Sequence, residues 1–134
     1  MTDSVEAHCP CGSQRAYREC CGRYHAGAPA PDAEALMRSR YSAYVMRDRD
    51  YLLTTWHSST RPQDLDLGPP DSVRWLGLTI QRFHPIDDDH AEVEFVARSR
   101  SGGGPASRLH EISRFVREHG RWYYVDGSFP KLAL

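Results

Sequence analysis

From Ala33 to about Arg47 the apolar residues recur at helical spacing: Leu36, Met37, Tyr41, Tyr44 and Val45 share one broad stripe, and Asp32 stands where an N-cap belongs. Arg38, Arg40 and Arg47 tend toward other faces. Asp48 is placed to cap a second, shorter helix carrying Tyr51, Leu52 and Trp56. Residues 58–72 hold three prolines and few apolar anchors, which predicts a long loop with one helical turn around Leu65 and Leu67. The period then changes to two. Val73 to His84 has apolar residues on both faces, as a strand covered on both sides would. Ala91 to Arg100 alternates more cleanly, with Val93, Phe95 and Ala97 opposite Glu92, Glu94 and Arg98. After the turn Ser101–Pro105, a third strand runs from Leu109 to Glu118. His119-Gly120 then makes a tight hairpin into a fourth, Trp122 to Gly127. Helices followed by an antiparallel meander define an α+β domain.

Ahead of this domain, residues 25–31 (His-Ala-Gly-Ala-Pro-Ala-Pro) read as a linker with little to bury. All four cysteines precede it, in His8-Cys9-Pro10-Cys11-Gly12-Ser13 and Cys20-Cys21-Gly22. Disulfides suit them poorly. Cys20 and Cys21 are adjacent, Cys9 and Cys11 are one residue apart, and bridges within either pair would close strained rings. Four thiolates gathered by a turn suit a closed, tetrahedral Zn²⁺; the alternative is unligated thiols in a floppy tail. Pro10 stiffens the bend, Gly12 frees a backbone N–H to approach a sulfur, and Ser13 is placed to cap the short helix that delivers Cys20 and Cys21.

Cys-Pro-Cys-Gly-Ser, three residues, Tyr17, two residues, Cys-Cys resembles the SEC-C motif that ends the ATPase of the bacterial preprotein translocase. The resemblance implies one structural Zn²⁺ on Cys9, Cys11, Cys20 and Cys21, with His8 and His25 flanking. It also implies a protein or ribosomal partner for the knuckle. The translocase motif is rich in lysine after the serine, where this chain has Gln14, Arg15, Ala16 and Arg18, so the contact surface differs.

Composition narrows the class. The 134 residues are 40% hydrophobic and 26% charged, as in a soluble globular protein, with a formal net charge of −1. That charge gives no general drive toward nucleic acid or anionic membrane. No apolar run reaches the roughly 20 residues needed to span a bilayer, and no hydrophobic signal segment opens the chain, so a cytoplasmic location is expected.

The domain half resembles the YchJ-like proteins. The resemblance rests on Leu36-Met37-Arg38-Ser39-Arg40-Tyr41, one residue, Ala43-Tyr44, and on Trp56-His57 and Trp75-Leu76-Gly77-Leu78. Phe95-Val96-Ala97-Arg98 and Trp122-Tyr123-Tyr124-Val125-Asp126-Gly127 continue it. Those bacterial proteins, of unassigned function, join a SEC-C knuckle to an NTF2-like domain. The resemblance implies a cone of two helices on a curved antiparallel sheet over residues 32–134, after a knuckle over 1–25 and a linker over 26–31. A second knuckle is not expected, since no cysteine follows Cys21. Candidates for a pocket in the cone are Tyr41, Tyr44, Trp56, His57, Trp75, Glu111, Ser113, Trp122, Tyr124 and Asp126. Tyr41, Tyr44, Trp56 and Trp122 are expected to share one apolar cavity.

Each candidate has a commoner, structural role. Aromatic residues fill cores, and a lone histidine usually ends a helix. Arg98, Arg100, Arg108, Arg114 and Arg117 form either an anion-binding stripe or ordinary ion pairs on a solvated face. Asp87-Asp88-Asp89 reads as a turn rather than a metal site. Two function classes follow. The favoured one is a binding or adaptor protein, with the knuckle facing a protein or ribosomal partner and the cone serving as scaffold or small-ligand receptor. The other is a small enzyme using His57 with Asp126 or Glu111 in proton transfer. Because the linker buries little, the knuckle is expected to unfold alone when its zinc is removed.

Overall fold

In the computed structural model, which describes residues 8–130, a 3₁₀ turn (Tyr17–Glu19) leads into three helices, α1 (Cys21–His25), α2 (Ala33–Met46) and α3 (Arg49–Thr54). Four strands follow: β1 (Val73–Asp87), β2 (His90–Ser101), β3 (Ala106–Glu118) and β4 (Arg121–Ser128). The ends of the two assigned units, residues 1–7 and 131–134, lie outside the described residues. Asp32 caps α2, its carboxylate accepting the Ala35 N–H at 2.7 Å. Arg47 ends the helix in the left-handed conformation, φ 58°, and its N–H returns to the last turn. Asp48 caps α3 by accepting the Tyr51 N–H at 3.1 Å.

Helix α3 stops at Thr54, two residues before Trp56. The backbone there is claimed by the sheet instead. Tyr124 N–H donates to the Thr55 carbonyl at 2.8 Å and His57 N–H donates to the Tyr124 carbonyl at 2.7 Å, a parallel bridge that covers the free edge of β4. The loop over 58–72 forms no helical turn at Leu65 or Leu67. It is pinned by Arg47, whose guanidinium donates to the carbonyls of Leu67, Gly68 and Pro69.

The strands form an antiparallel meander in the order β1-β2-β3-β4. Ala91, Val93, Phe95 and Ala97 of β2 and Phe115 of β3 are buried on one face, against Leu36, Met37 and Tyr41 of α2. β1 is longer than expected and is not covered on both sides. It is an edge strand interrupted by bulges, none of its residues is fully buried, and Leu76 and Ile86 are exposed. Its apolar residues on the outer side therefore face solvent.

The other side of α2 faces the cysteine knuckle. Ser39 and Ser42 are fully buried there, small enough for close approach. His25 joins the two parts. Its Nε2 lies 2.8 Å from the Ser39 carbonyl, which can only accept, so Nε2 carries the proton. Nδ1 then accepts from the Tyr17 hydroxyl at 2.6 Å. Arg38 donates to the Cys11 carbonyl at 3.1 Å, and the Cys9 sulfur lies 3.5 Å from the Ser42 hydroxyl. The segment over 26–31 is no free spacer either. Ala30 is buried in the core beside Leu36 and Trp122, and Arg121 donates to the Gly27 carbonyl. The knuckle and the domain thus share a packed interface.

This interface gives His25→Ala a specific cost. It removes two hydrogen bonds and the ring contact with Tyr51, whose centroid is 4.6 Å away. The expected loss is about 1–3 kcal/mol. In urea, Trp fluorescence and far-ultraviolet dichroism should report one transition shifted to lower denaturant. Two separated transitions would show that the halves unfold independently.

Candidate metal centre and ligand cavity

The knuckle is built by two tight backbone features. Cys9 N–H donates to the Arg15 carbonyl at 2.7 Å, closing a loop that turns at Gly12 (φ 86°) and Gln14 (φ 68°). Gly12 also passes close to the Leu78 carbonyl of β1. The 3₁₀ turn and α1 then return Cys20 and Cys21. All four cysteines are buried, and their sulfurs lie within 4.8 Å of one another, Cys11 and Cys20 at 3.6 Å. A tetrahedron of Zn–S bonds of about 2.3 Å has S–S edges of about 3.8 Å, so the set matches a metal tetrathiolate. Hydrogen bonds from Cys11 and Cys21 hold the Cys9 thiol well below its ordinary range. The reciprocal bonds to Cys11 and Cys9, and then burial, push Cys21 well above it. A bound cation would allow all four to ionise together. Ser13 caps no helix. Its hydroxyl lies 3.2 Å from the Cys20 sulfur and accepts the Arg15 N–H, while Ala16 occupies the cap position of the 3₁₀ turn.

The concave side of the sheet holds a cavity of about 240 Å³. Tyr41 and Tyr44 enter from α2, Trp56 from the bridge segment, Trp75 from β1, Glu111 and Ser113 from β3, and Tyr124 from β4. Seven of the ten expected residues therefore meet in one place. Trp75 stands edge-on to Tyr41, with centroids 5.6 Å apart, and Trp56 edge-on to Tyr124 at 5.2 Å.

Three expected residues lie elsewhere. His57 follows Trp56 in extended chain, so its side chain points to the opposite side. There it meets Glu118 (Nε2 to Oε2, 2.9 Å) and Ser59, rather than Glu111 or Asp126. Asp126 is turned out by a bulge. β4 pairs Tyr124 with Phe115 but Asp126 with Arg114, so Val125 is an extra residue and the register slips by one. Asp126 consequently binds Arg114 on the outer face, at 2.6 Å. Trp122 points inward but sits two residues along the strand from Tyr124. It lines a second cavity of about 300 Å³ beneath Tyr24, His25, Pro29 and Tyr51. Of the arginines, Arg114 and Arg117 are paired with Asp126 and Asp89. Asp87 serves the turn before β2, accepting the Asp89 N–H at 2.8 Å.

One charged residue in the cavity was unexpected. Arg40 is only 4% exposed, with its guanidinium against the rings of Tyr124 (4.7 Å to the centroid) and Trp56 (5.1 Å). Its Nη1 donates to the Leu52 carbonyl at 2.8 Å and the Thr55 hydroxyl at 2.7 Å. The spacing contained the signal: 36, 37, 40, 41 and 44 are neighbours at three- and four-residue steps, which puts Arg40 inside the apolar stripe. Burial pulls Arg40 down from its ordinary value.

Across the cavity Glu111 is also buried. Its Oε2 accepts from Ser113 at 2.8 Å and from Tyr124 at 3.0 Å. Burial and then the Glu111 charge push the Tyr124 phenol well above its usual range, which keeps it a donor. Among the described residues no carboxylate lies within 4 Å of Arg40. The indole Nε1 of Trp56 is buried without a partner.

A sheet wrapped on helices with a cavity at its concave face, joined to a Cys-x-Cys…Cys-Cys knuckle, defines the class: an NTF2-like domain carrying a SEC-C motif. The family model described as "YchJ, middle NTF2-like domain" matches residues 32–127. A UPF0225 protein of Bordetella pertussis is 61% identical over 128 residues, covering 93% of this chain and 95% of that protein. A UPF0225 protein of Polaromonas is 58% identical, covering 91% and 93%. The chain belongs to the YchJ family. Two solved structures have the same fold. A SEC-C motif protein from Rhodopseudomonas palustris has a TM-score of 0.79 at 36% identity, covering 93% of this chain and all of that one. Another from Psychrobacter arcticus has a TM-score of 0.76 at 28% identity, covering 95% and 85%. No described helix is long and apolar enough to cross a membrane.

The packing around Glu111 depends on Gly127, which pairs with Ser113 across β3–β4, diagonal to Glu111. A Cβ there would collide with the Glu111 carboxylate. Gly127→Ala should therefore cost about 1–3 kcal/mol and break the Tyr124–Glu111 hydrogen bond. Thermal unfolding and the titration of Tyr124, which should move back toward the ordinary phenol range, check this. An unchanged melting temperature with an unchanged Tyr124 would contradict it.

Proposed function

We propose that this chain is a binding protein: a cone that holds a small molecule, clasped by a knuckle holding one structural Zn²⁺. The single observation that supports the cone reading is the pair Arg40 and Glu111. Both are buried in an aromatic-walled cavity, and neither neutralises the other by direct contact. Burying two charges without a direct ion pair costs several kcal/mol. A fold optimised for stability alone would place Leu or Met at these positions. Buried polar groups converging on a largely apolar cavity are the usual signature of a ligand site.

The zinc reading is supported by four buried sulfurs at tetrahedral spacing. Four thiolates fill every position of a tetrahedral ion, leaving none for substrate, so the metal would serve structure. The partner-facing role implied by the SEC-C resemblance falls to the knuckle's outer edge, with Arg15, Glu19 and Arg23, since α2 and β1 occupy its other side. The alternative of catalysis by His57 finds no support in the geometry. His57 and its carboxylate, Glu118, stand outside the cavity.

Elemental analysis of protein purified without added metal should give about one zinc per chain. Chelation should lower the melting temperature of the whole chain in one transition, because the knuckle is packed on α2. A metal-free protein with the unaltered melting temperature would overturn the zinc reading. For the cone, native mass spectrometry of gently purified protein should find a retained small molecule that Ala97→Leu, which fills the cavity, expels. Retention by Ala97→Leu would place the ligand elsewhere.

A further inference from the structure

Resting on the cone as a ligand site, the cavity's chemistry narrows what fits. Arg40 and Glu111 bring one positive and one negative charge, which sum to zero. A carboxylate or an ammonium would leave one charge in excess in a desolvated space, at high cost. An uncharged ligand leaves the balance intact.

The hydrogen-bonding groups are fixed before a ligand arrives. Nη1 of Arg40 is committed to Leu52 and Thr55, and the Tyr44 hydroxyl lies against the same guanidinium, so Arg40 and Tyr44 together make the donor edge. Trp56 supplies an aromatic wall, its Nε1 buried away from the cavity space. Glu111 receives Ser113 and Tyr124 on Oε2, leaving Oε1 as an acceptor. Tyr124 sets the spacing. Its ring lies against Arg40 and its hydroxyl binds Glu111, so donor and acceptor are about one phenol apart. A carbonyl can accept from this donor edge, while an adjacent N–H meets the carboxylate.

Shape adds the last constraint. Tyr41, Tyr44, Trp75 and Phe95 supply the walls, which favour a flat aromatic body. An apolar cavity of about 150 Å³ holds benzene, so about 240 Å³ has room for two fused rings.

We propose that the cone binds an uncharged, planar, two-ring heterocycle with a lactam edge, its carbonyl on the Arg40 side and its N–H on Glu111. The probes are quinolin-2(1H)-one, with naphthalene and 2-naphthoate as apolar and anionic controls of like shape. They are titrated into the full zinc-loaded chain by calorimetry and ¹H–¹⁵N spectra. The lactam should bind at least about tenfold tighter than either control, and its binding should move the Trp56 indole N–H signal. Glu111→Gln leaves the Arg40 charge uncompensated, so the preference should invert toward 2-naphthoate.

Tighter binding of 2-naphthoate to the unaltered protein would overturn the charge-balance inference. Equal binding of naphthalene would overturn the polar edge, and in both cases the cone survives as a ligand site. If none of the three probes moves the Trp56 or Trp75 indole signal, the cone reading itself falls, and this inference with it.

Discussion

The burial of Arg40 is the constraint on which the rest of the structure turns. A guanidinium is held at this depth by meeting its donors, and the Leu52 carbonyl and Thr55 hydroxyl meet those of Nη1. That requirement ends α3 near Thr54, because Leu52 and Thr55 must face α2 rather than continue the helix. The chain leaving α3 is extended and finds the free edge of β4. The result places Trp56 against Tyr124 and encloses the charge between two rings. One buried cation therefore couples the first long helix, the end of the second and the last strand.

Helix α2 serves two interfaces with opposite chemistry. Toward the sheet it presents Leu36, Met37 and Tyr41 with Arg40 among them; toward the knuckle it presents Ser39 and Ser42. Small hydroxyl residues there let the cysteine cluster approach without a large apolar contact, and His25 supplies the directional bond. A small knuckle has almost no core of its own. Docking on α2 gives it one.

Much of this was legible in the sequence, and the failures have physical causes. Asp32 and Asp48 marked the helix starts because capping is a local interaction, readable from neighbouring residues. The meander was legible because its turns are short. Asp126 was misplaced because a bulge costs little and leaves no signature in the alternation: Tyr124 and Asp126 have the right spacing for one face, and only the pairing with β3 reveals the slip at Val125. Trp56 was drawn into a helix that tertiary pairing cut short. The segment at 26–31 looked empty because alanine and glycine carry little burial signal, yet Ala30 fits the core for the same reason, being small. Arg40 was set aside as charged although its spacing lies inside the stripe, since charge outweighs position when a side chain is judged alone.

The central claim is that the charges in the cone wait for a ligand. It is tested most directly by a high-resolution crystal structure of the protein as purified from its native cells, with nothing added. The expected result is continuous planar density bounded by Trp75 and Tyr44, in hydrogen-bonding contact with Arg40 and Glu111. The contradicting result is a closed cone in which Arg40 and Glu111 have moved together into a direct ion pair.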